Sequence, residues 1–174
     1  MTRAFVAIGS NINPAENVME AIRQLAAETS LVAVSTVYRT EPLGRPEQPP
    51  YYNCVAEIET EIPPLALKQD VLRRIEADLG RERGEDKYAP RTIDLDLVVY
   101  DDLVMETDDL TLPDPQIPHR PFLAVPLREL APRFTLPGVN RPMEEVAAQL
   151  PEGSMQPLEN YTLLLRRTMR HGSE

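Results

Sequence analysis

Residues 52–60 read Tyr52-Asn53-Cys54-Val55-Ala56-Glu57-Ile58-Glu59-Thr60, and they predict the best-defined β-strand of the chain. Successive side chains of a strand point to opposite faces of the sheet. The apolar Cys54, Ala56 and Ile58 share one face, and polar side chains lie on the other: Asn53, Glu57 and Glu59. This alternation predicts one buried face and one face in water, as in many antiparallel sheets.

The segments on both sides of this strand predict an alternation of strands and helices. Residues 4–9 and 31–39 predict two strands before it, and residues 92–100 predict one after it. A helix is expected to start near Pro14, and a second helix is expected over 64–79. The order β-α-β-β-α-β predicts an α+β fold with an antiparallel sheet, of the split βαβ or ferredoxin-like type.

The remaining C-terminal part of the chain is rich in proline and predicts short helices near 122–131, 142–149 and 158–168. We expect them to pack on the sheet or its edges as C-terminal helical elaborations. Since 174 residues suffice for one sizeable core, we expect a single domain over residues 1–174.

The composition narrows the possible function classes. Eighteen basic and 28 acidic side chains give a formal net charge of −10. Proteins that hold long nucleic acids usually present a basic surface, so we expect no nucleic-acid partner. One cysteine excludes an internal disulfide. No apolar run approaches the ~20 residues of a membrane span, and the N-terminus lacks a signal-peptide pattern, so we expect a cytoplasmic protein without a membrane partner.

Two aspartates stand in the predicted strand 92–100, within Arg91-Thr92-Ile93-Asp94-Leu95-Asp96. Residues i and i+2 of a strand point to the same face, with Cα atoms roughly 6.6–6.8 Å apart. Asp94 and Asp96 could therefore hold one or two hard cations, a recurring device of phosphoryl chemistry. They could also form the wet face of a half-buried strand, although aspartate is disfavoured in strands. The spacing alone leaves both interpretations open.

Four basic residues lie within the eleven positions that end at Arg91: Arg81, Arg83, Lys87 and Arg91. A mobile cationic loop over a metal site would cover a triphosphate and stabilise charge that develops during transfer. A solvated surface loop is the alternative, since three acidic residues reduce the net charge of 81–91 to +1. The sequence has no GxxxxGK[ST] segment, which argues against a Walker-type kinase.

Aromatic side chains after the proline-rich loop 41–50 offer a candidate site for a flat ring. Tyr51 could stack on such a ring, and Asn53 could both donate to and accept from its edge. Phe122 is a second candidate ring. The alternative is that these aromatic side chains only fill core or surface positions.

A series of short segments occurs in unbroken order between residue 4 and about residue 133. They are Ala7-Ile8-Gly9-Ser10-Asn11, Tyr38-Arg39-Thr40-Glu41-Pro42-Leu43-Gly44, Gln48-Pro49-Pro50-Tyr51-Tyr52-Asn53, Arg74-Ile75-Glu76, Gly80-Arg81 through Asp96, Leu110-Thr111-Leu112-Pro113, Arg120-Pro121-Phe122 and Val125-Pro126-Leu127. Together they resemble the 6-hydroxymethyl-7,8-dihydropterin pyrophosphokinases of folate biosynthesis. The resemblance implies a ferredoxin-like core and transfer of a pyrophosphoryl group from ATP to the pterin hydroxymethyl group, with release of AMP.

The resemblance also implies roles for individual residues. Asp94 and Asp96 match the aspartates that hold two Mg²⁺ ions, and Arg81 and Arg91 match arginines that assist transfer. The pterin site is matched by Thr40, Pro42, Leu43, Tyr51, Asn53 and Phe122. The ATP site is matched by Glu76, Arg83, Lys87, Tyr88, Arg91, Thr111 and Arg120. The family also implies a monomer whose small-molecule partners are ATP and the dihydropterin.

Three positions depart from the family pattern. Lys87 replaces an arginine, Tyr88 replaces a frequent tryptophan, and Asp114 replaces the histidine of a Pro-His-Pro run. An aspartate at position 114 would repel phosphate, whereas the histidine contacts it. We therefore expect weaker ATP binding than in typical members.

Three alternatives remain beside this interpretation. A nucleotidyltransferase would release pyrophosphate, but its Gly-Ser turn usually lies shortly before the acidic pair, and Gly9-Ser10 lies 84 residues before Asp94. A non-catalytic module that binds a nucleotide or pterin is the second alternative. The third is an enzyme of the same class that acts on a modified pterin.

Overall fold

The computed structural model describes residues 1–82, 84, 89–151 and 153–171. The strands are β1 (Thr2–Ser10), β2 (Ser30–Val34), β3 (Tyr38–Thr40), β4 (Tyr51–Thr60), β5 (Asp94–Tyr100), β6 (Met105–Glu106), β7 (Thr111–Leu112), β8 (Thr135–Leu136), β9 (Arg141–Pro142) and β10 (Gln156–Pro157). The α-helices are α1 (Pro14–Glu28), α2 (Pro64–Ala66), α3 (Arg73–Asp78), α4 (Pro121–Leu130), α5 (Met143–Ala148) and α6 (Glu159–His171). A π-helix (Leu67–Leu72) joins α2 to α3, and a 3₁₀ turn (Ile117–His119) precedes α4.

One six-stranded sheet organises the fold. Its strand order is β10-β3-β4-β1-β5, and β2 also pairs with β4. Each of these pairs is antiparallel. The prediction of a mixed α and β fold with an antiparallel sheet is therefore confirmed. No described helix has both the length and the apolar composition that a bilayer-spanning segment needs.

The two faces of the sheet are covered to different extents. The face that carries Val6 and Ile58 is packed by helices α1, α3 and α6. The opposite face is packed by α4 and α5 around Phe5 and Val55, and beyond that region it lines a cavity. The prediction of a solvent-exposed face on β4 is therefore wrong for the middle of the strand, because α4 covers Val55. The alternation along β4 does not reveal this cover, which comes from residues far away in the sequence.

The predicted strand 31–39 is a second correction, since it consists of two separate strands, β2 and β3. Between them, the Ser35 N–H donates to the Val55 carbonyl at 2.9 Å. The Ser35 Oγ accepts the Val55 N–H, also at 2.9 Å. A serine hydroxyl that takes a backbone donor competes with regular pairing, so the ladder is interrupted at this point.

The remaining boundaries differ by a few residues or in helix type. The region predicted as one helix over 64–79 is helical from Pro64 to Asp78, with the π-helix in its middle. The strand expected from residue 92 begins at Asp94. Helix and strand ends commonly shift by such amounts, because end residues lack their full set of backbone partners.

Candidate active site

Three neighbouring strands carry the candidate residues to one face of the sheet. In the antiparallel register, Gly9 of β1 pairs with Asn53 of β4 on one side and with Asp94 of β5 on the other. One step along the same face, Ala7 pairs with Asp96. The amide and both carboxylates therefore surround a surface made by two small residues, which leaves room for a ligand above β1.

Gly9 permits a close approach of the Asn53 side chain. A Cβ atom at position 9 would lie 2.7 Å from the Asn53 Oδ1, closer than atoms in contact can lie. The Asn53 Nδ2 donates to the Thr40 Oγ1 at 2.6 Å, which fixes the orientation of the amide. Thr40 is itself buried at the end of β3. The pair holds the Asn53 amide in a defined position at the cavity wall.

A cavity of about 360 Å³ opens above this face. Its lining includes every residue predicted for a pterin: Thr40, Pro42, Leu43, Tyr51, Asn53 and Phe122. The same cavity is lined by Arg91, Asp94, Asp96, Asp114 and Arg120. The structure thus brings the two predicted rings, the amide and the acidic pair together around one space, while the role of each residue stays a prediction.

A second cavity of about 210 Å³ lies next to the first. Its lining shares Arg91, Asp94 and Asp96 with the larger cavity. The rest of its wall is formed by Lys68, Arg73, Glu76, Arg81 and Leu95. The two cavities therefore meet at one arginine and two aspartates, and the smaller one is rich in cationic side chains that suit an anionic ligand.

Two arginines hold the carboxylate of Asp94. The Arg81 Nη1 donates to the Asp94 Oδ1 at 2.7 Å, and the Arg91 Nη1 donates to the Asp94 Oδ2 at 2.8 Å. Arg81 also pairs with Glu76, whose Oε2 accepts the Leu95 N–H at 3.1 Å. Glu76 is almost fully buried, with 3% of its side chain exposed. The Nε of Arg81 is buried and has no hydrogen-bond partner among the described residues, so one of its donors is unused.

Asp96 has a different environment from Asp94. Among the described residues its carboxylate has no hydrogen-bond or ion-pair partner. Desolvation by the surrounding cavity walls raises the pKa of Asp96 to about 7, although its side chain is exposed to the open cavity. Repulsion from Asp94, Glu76 and Asp114 adds to the shift, and attraction to Arg81 opposes it. A carboxylate in this position favours either a proton or a cation, so the donor set fits a hard divalent cation.

The acidic pair cannot supply a complete coordination shell. Within the described ranges, no group of three or more His, Cys, Asp or Glu side chains is arranged to hold a metal ion. Mg²⁺ in proteins usually binds through one or two carboxylates together with substrate phosphates and water. Asp94 and Asp96 fit that pattern.

Asp114 faces the larger cavity. Its backbone N–H donates to the Val98 carbonyl at 2.8 Å, which ties residue 114 to β5. Its Oδ1 accepts the Gln116 N–H at 2.8 Å. Burial raises the pKa of Asp114. Asp114 therefore adds a third carboxylate to the same cavity as Asp94 and Asp96.

Some predicted ATP-site residues are not brought to either cavity. Thr111 lies in β7 and lines neither of them. Arg83, Lys87 and Tyr88 lie outside the described residues. Arg120, which was also predicted on the ATP side, lines the larger cavity beside Phe122.

Sequence reasoning missed two cationic residues of the smaller cavity, Lys68 and Arg73. They are five positions apart, and the Arg73 N–H donates to the Lys68 carbonyl in the π-helical pattern. Five-residue spacing places two side chains close together in a π-helix, whereas an α-helix groups residues three or four apart. The sequence carries no signal that would announce this local change of helix type.

Comparisons with known proteins give consistent results. Residues 5–132 match the model of the family described as 7,8-dihydro-6-hydroxymethylpterin-pyrophosphokinase (HPPK). A 2-amino-4-hydroxy-6-hydroxymethyldihydropteridine pyrophosphokinase of Haemophilus influenzae is 41% identical over 140 residues, covering 79% of this chain and 86% of the relative. A protein of the same name from Pseudomonas aeruginosa is 38% identical over 152 residues, covering 86% of this chain and 92% of the relative.

A solved structure supports the fold independently. The Plasmodium falciparum HPPK-DHPS wild type with SDX-DHP is similar at a TM-score of 0.63 and 13% identity, over 86% of this chain. This chain spans 43% of that longer chain. Because the family match covers most of the chain and the curated relatives are aligned over most of their own length, the chain belongs to the 7,8-dihydro-6-hydroxymethylpterin-pyrophosphokinase family.

Proposed function

We propose that this chain transfers the pyrophosphoryl group of ATP to the hydroxymethyl group of 6-hydroxymethyl-7,8-dihydropterin, releasing AMP, in folate biosynthesis. The observation that carries the proposal is the pair of adjacent cavities that share Arg91, Asp94 and Asp96. One cavity has aromatic walls and an oriented amide, and the other is lined by four cationic side chains beside three carboxylates. Membership of the family and the names of the curated relatives support the same reaction.

The larger cavity suits a flat heterocycle. Its volume of about 360 Å³ lies at the lower end of the range typical of small-molecule sites. Tyr51 and Phe122 would contact the two ring faces of the pterin, and Thr40, Pro42 and Leu43 would complete the wall. Asn53 would read the pterin edge, because its amide is held by Thr40 and is available at the cavity surface.

Gly9→Ala is expected to raise the KM for the dihydropterin about tenfold, a loss equivalent to roughly 1.4 kcal/mol, and to leave the KM for ATP within about twofold. The new Cβ would lie 2.7 Å from the Asn53 Oδ1 and would displace the amide. Steady-state kinetics with each substrate varied in turn would measure both constants. Gly153→Ala is the matched control, since nothing lies within 4 Å of a Cβ atom there. An unchanged pterin KM in Gly9→Ala would contradict the proposed role of Asn53.

The smaller cavity suits the polyphosphate and the nucleotide. Lys68, Arg73 and Arg81 would contact phosphate oxygens, because all three side chains line this cavity. We also place Arg83, Lys87, Tyr88, Thr111 and Arg120 on the nucleotide side, on the family resemblance. Glu76 would orient Arg81 through their buried ion pair.

The reaction would take place where the two cavities meet. The pterin hydroxyl oxygen attacks the β-phosphorus of ATP, the bond between this phosphorus and the bridging oxygen of the α-phosphate breaks, and AMP leaves. Arg81 and Arg91 would move from Asp94 to the phosphates and stabilise the charge on the transferred and leaving groups. Holding the hydroxyl and the phosphate in one place supplies a large part of such rate enhancements.

We further propose that Asp94 and Asp96 hold two Mg²⁺ ions together with the triphosphate. Bound Mg²⁺ would neutralise phosphate charge and orient the transferred group. The carboxylate of Asp96 supports this assignment, because it lies near Asp94, Glu76 and Asp114 and has no hydrogen bond or ion pair among the described residues. Arg81 and Arg91, which pair with Asp94 in this structure, would leave it as the cations and ATP enter.

Asp114→Asn is expected to lower the KM for ATP about threefold to tenfold, since it removes a negative charge that lies in the larger cavity and acts on Asp96, where the two cavities meet. Asparagine keeps the oxygen that accepts the Gln116 N–H, so the loop should retain its conformation. Asp114→His is expected to change the KM for ATP in the same direction. Asp108→Asn, at an exposed position, serves as the control. A KM for ATP that stays the same or rises would contradict the expected penalty of Asp114.

Further properties of the protein are also proposals. We propose a single domain of the ferredoxin-like type with C-terminal helical additions, which the order of the main strands, β2-β4-β1-β5, and the two crossing helical segments support. We propose a cytoplasmic monomer that requires no nucleic-acid or membrane partner. Size-exclusion chromatography with light scattering would test the monomer.

A product assay tests the proposed reaction. The protein would be mixed with ATP, Mg²⁺ and 6-hydroxymethyl-7,8-dihydropterin, and AMP, ADP and pyrophosphate would be quantified separately. Pterin-dependent AMP without free pyrophosphate is the expected result. Free pyrophosphate would favour nucleotidyl transfer, and nucleotide binding without any product would favour a binding module.

A further inference from the structure

The C-terminal segment 156–166 lies outside the family match, which ends at residue 132, yet it pairs with strand β3, whose last residue, Thr40, lines the larger cavity. Strand β10 adds to the edge of the sheet by pairing with β3, with Gln156 opposite Arg39 and Pro157 opposite Tyr38. The residues that follow Tyr38 on β3 lead directly to Thr40, Pro42 and Leu43 of the cavity wall. An element without any assigned role therefore covers the outer edge of the strand that builds the wall.

Backbone groups at the break between β2 and β3 find hydrogen-bond partners in helix α6 and in Leu158, which directly precedes this helix. The Thr162 Oγ1 accepts the Val37 N–H at 3.0 Å, and the Leu158 N–H donates to the Val37 carbonyl at 2.8 Å. Arg166 donates to the Val34 carbonyl from its Nε at 3.1 Å and from its Nη2 at 2.9 Å. Thr162 is only 2% exposed. Buried backbone groups need such partners, so α6 stabilises the bend that directs β3 to the cavity.

A second contact joins α6 to the strand that carries the candidate ring. The Tyr161 ring lies 5.4 Å from the Tyr52 ring, between ring centroids, in a tilted arrangement. The Tyr161 hydroxyl donates to the Ala15 carbonyl at 2.7 Å. Tyr52 is the neighbour of Tyr51 in β4, so this packing also restrains the cavity wall.

We propose that residues 156–166 act as a clamp that positions the pterin wall of the site, with Thr162 as the main positioning residue. The inference rests on the proposed function and extends it to a segment beyond the family match. Thr162 does not line either cavity. It acts through Val37 and β3, which hold Thr40 and the Asn53 amide in place.

The position of the clamp in the sheet makes its effect selective. The strand order β10-β3-β4-β1-β5 puts β10 and β5 at opposite ends. The phosphate-side residues Glu76, Arg81 and Asp94 lie at the β5 end. Loosening the clamp should therefore weaken binding of the dihydropterin and leave ATP binding nearly unchanged.

Thr162→Val tests the clamp, because valine keeps the shape of threonine and removes the oxygen that accepts the Val37 N–H. The variant removes two hydrogen bonds of the hydroxyl, the one accepted from the Val37 N–H and the one donated to the Leu158 carbonyl. The KM for the dihydropterin is expected to rise about fivefold to tenfold. The KM for ATP and kcat are expected to stay within about twofold. Thr162→Ser keeps the hydroxyl and should restore the pterin KM. Leu163→Ala, on the exposed side of the same helix at 57% exposure, is the matched control.

Hydrogen exchange of the β3 amides gives a readout that does not depend on activity. Exchange at 38–40 is expected to be faster in Thr162→Val than in the wild type and in Leu163→Ala. If Thr162→Val does not fold, Arg166→Met replaces it, since this half-exposed side chain also binds the bend. Faster exchange in Thr162→Val would support the clamp even if the wild-type protein formed no AMP. Absence of AMP would overturn only the proposed function. Unchanged β3 exchange, or equal increases in both Michaelis constants, would overturn the clamp.

Discussion

Asp96→Asn is expected to lower kcat by at least about a thousandfold, the size of effect that follows loss of a key charge-stabilising group. Asparagine has nearly the same shape but lacks the charge that would help to hold Mg²⁺ on the triphosphate. Rapid-quench measurement of AMP formation would determine the rate. Asp102→Asn, an exposed aspartate just after β5, should keep normal turnover. Normal turnover of Asp96→Asn in Mg²⁺ would refute the proposed metal role.

The same variant is expected to make the metal-free protein more stable at high pH. The pKa of Asp96 is about 7 in the folded protein, against an ordinary value of 3.8 for an aspartate in water. The folded state therefore binds more protons than the unfolded state between these values, and this group lowers the free energy of unfolding as pH rises from about 4 to about 7. Above pH 7 the penalty is complete, and below about pH 4 it is absent.

Thermal unfolding in EDTA would measure this stability difference. Asp96→Asn is expected to be more stable than the wild type by roughly 1–2 kcal/mol at pH 8, because cavity water screens part of the repulsion. That corresponds to an increase in Tm of roughly 2–8 °C for a chain of this size. The difference should largely disappear at pH 4. A difference in Tm that does not change with pH would contradict the raised pKa of Asp96.

Arg81→Ala and Arg91→Ala are expected to differ strongly in stability although both lower activity. Arg81 is 10% exposed and pairs with Glu76, of which only 3% is exposed. Removing Arg81 leaves that buried carboxylate without its guanidinium partner, which costs about 3 kcal/mol or more in comparable cases. Arg91 is 27% exposed, so its removal is expected to cost less than about 1 kcal/mol.

Urea unfolding and transfer kinetics would separate the two arginines. Each variant is expected to lower kcat about a hundredfold to a thousandfold, as for loss of one donor to developing charge. Arg74→Ala removes an exposed ion pair between Arg74 and Glu28, neither of which lines a cavity, and it should change neither quantity by much. Equal loss of stability in Arg81→Ala and Arg91→Ala would contradict the structural role of the Arg81–Glu76 pair.

Local patterns in the sequence predicted the main strands and helices and pointed to candidate site residues, several of which line one cavity. The alternation in 52–60 predicted β4. The spacing of Asp94 and Asp96 predicted two carboxylates on one face of a strand, and both side chains line the same cavity. These predictions succeed because the two-residue period of a strand is a property of the nearby backbone. Recognition of the family rested on ordered motifs of the same local kind, and the family match confirmed it.

Long-range pairing decided the features that the sequence left open. The register puts Gly9 between Asn53 and Asp94. Glycine is needed at position 9 because a Cβ atom there would collide with the Asn53 side chain. Helix α4 covers Val55, so the middle of the expected wet face of β4 is buried. Such contacts join residues far apart in the chain, and no local period encodes them.

The chemistry of the site also depends on distant neighbours. The motif predicts that Asp94 and Asp96 share a face, but it does not distinguish them. In the folded chain Arg81 and Arg91 neutralise Asp94, while Asp96 is left among acidic groups with a raised pKa. Side-chain type and spacing are properties of the sequence, whereas desolvation and the charges around each group arise only when separate segments pack together.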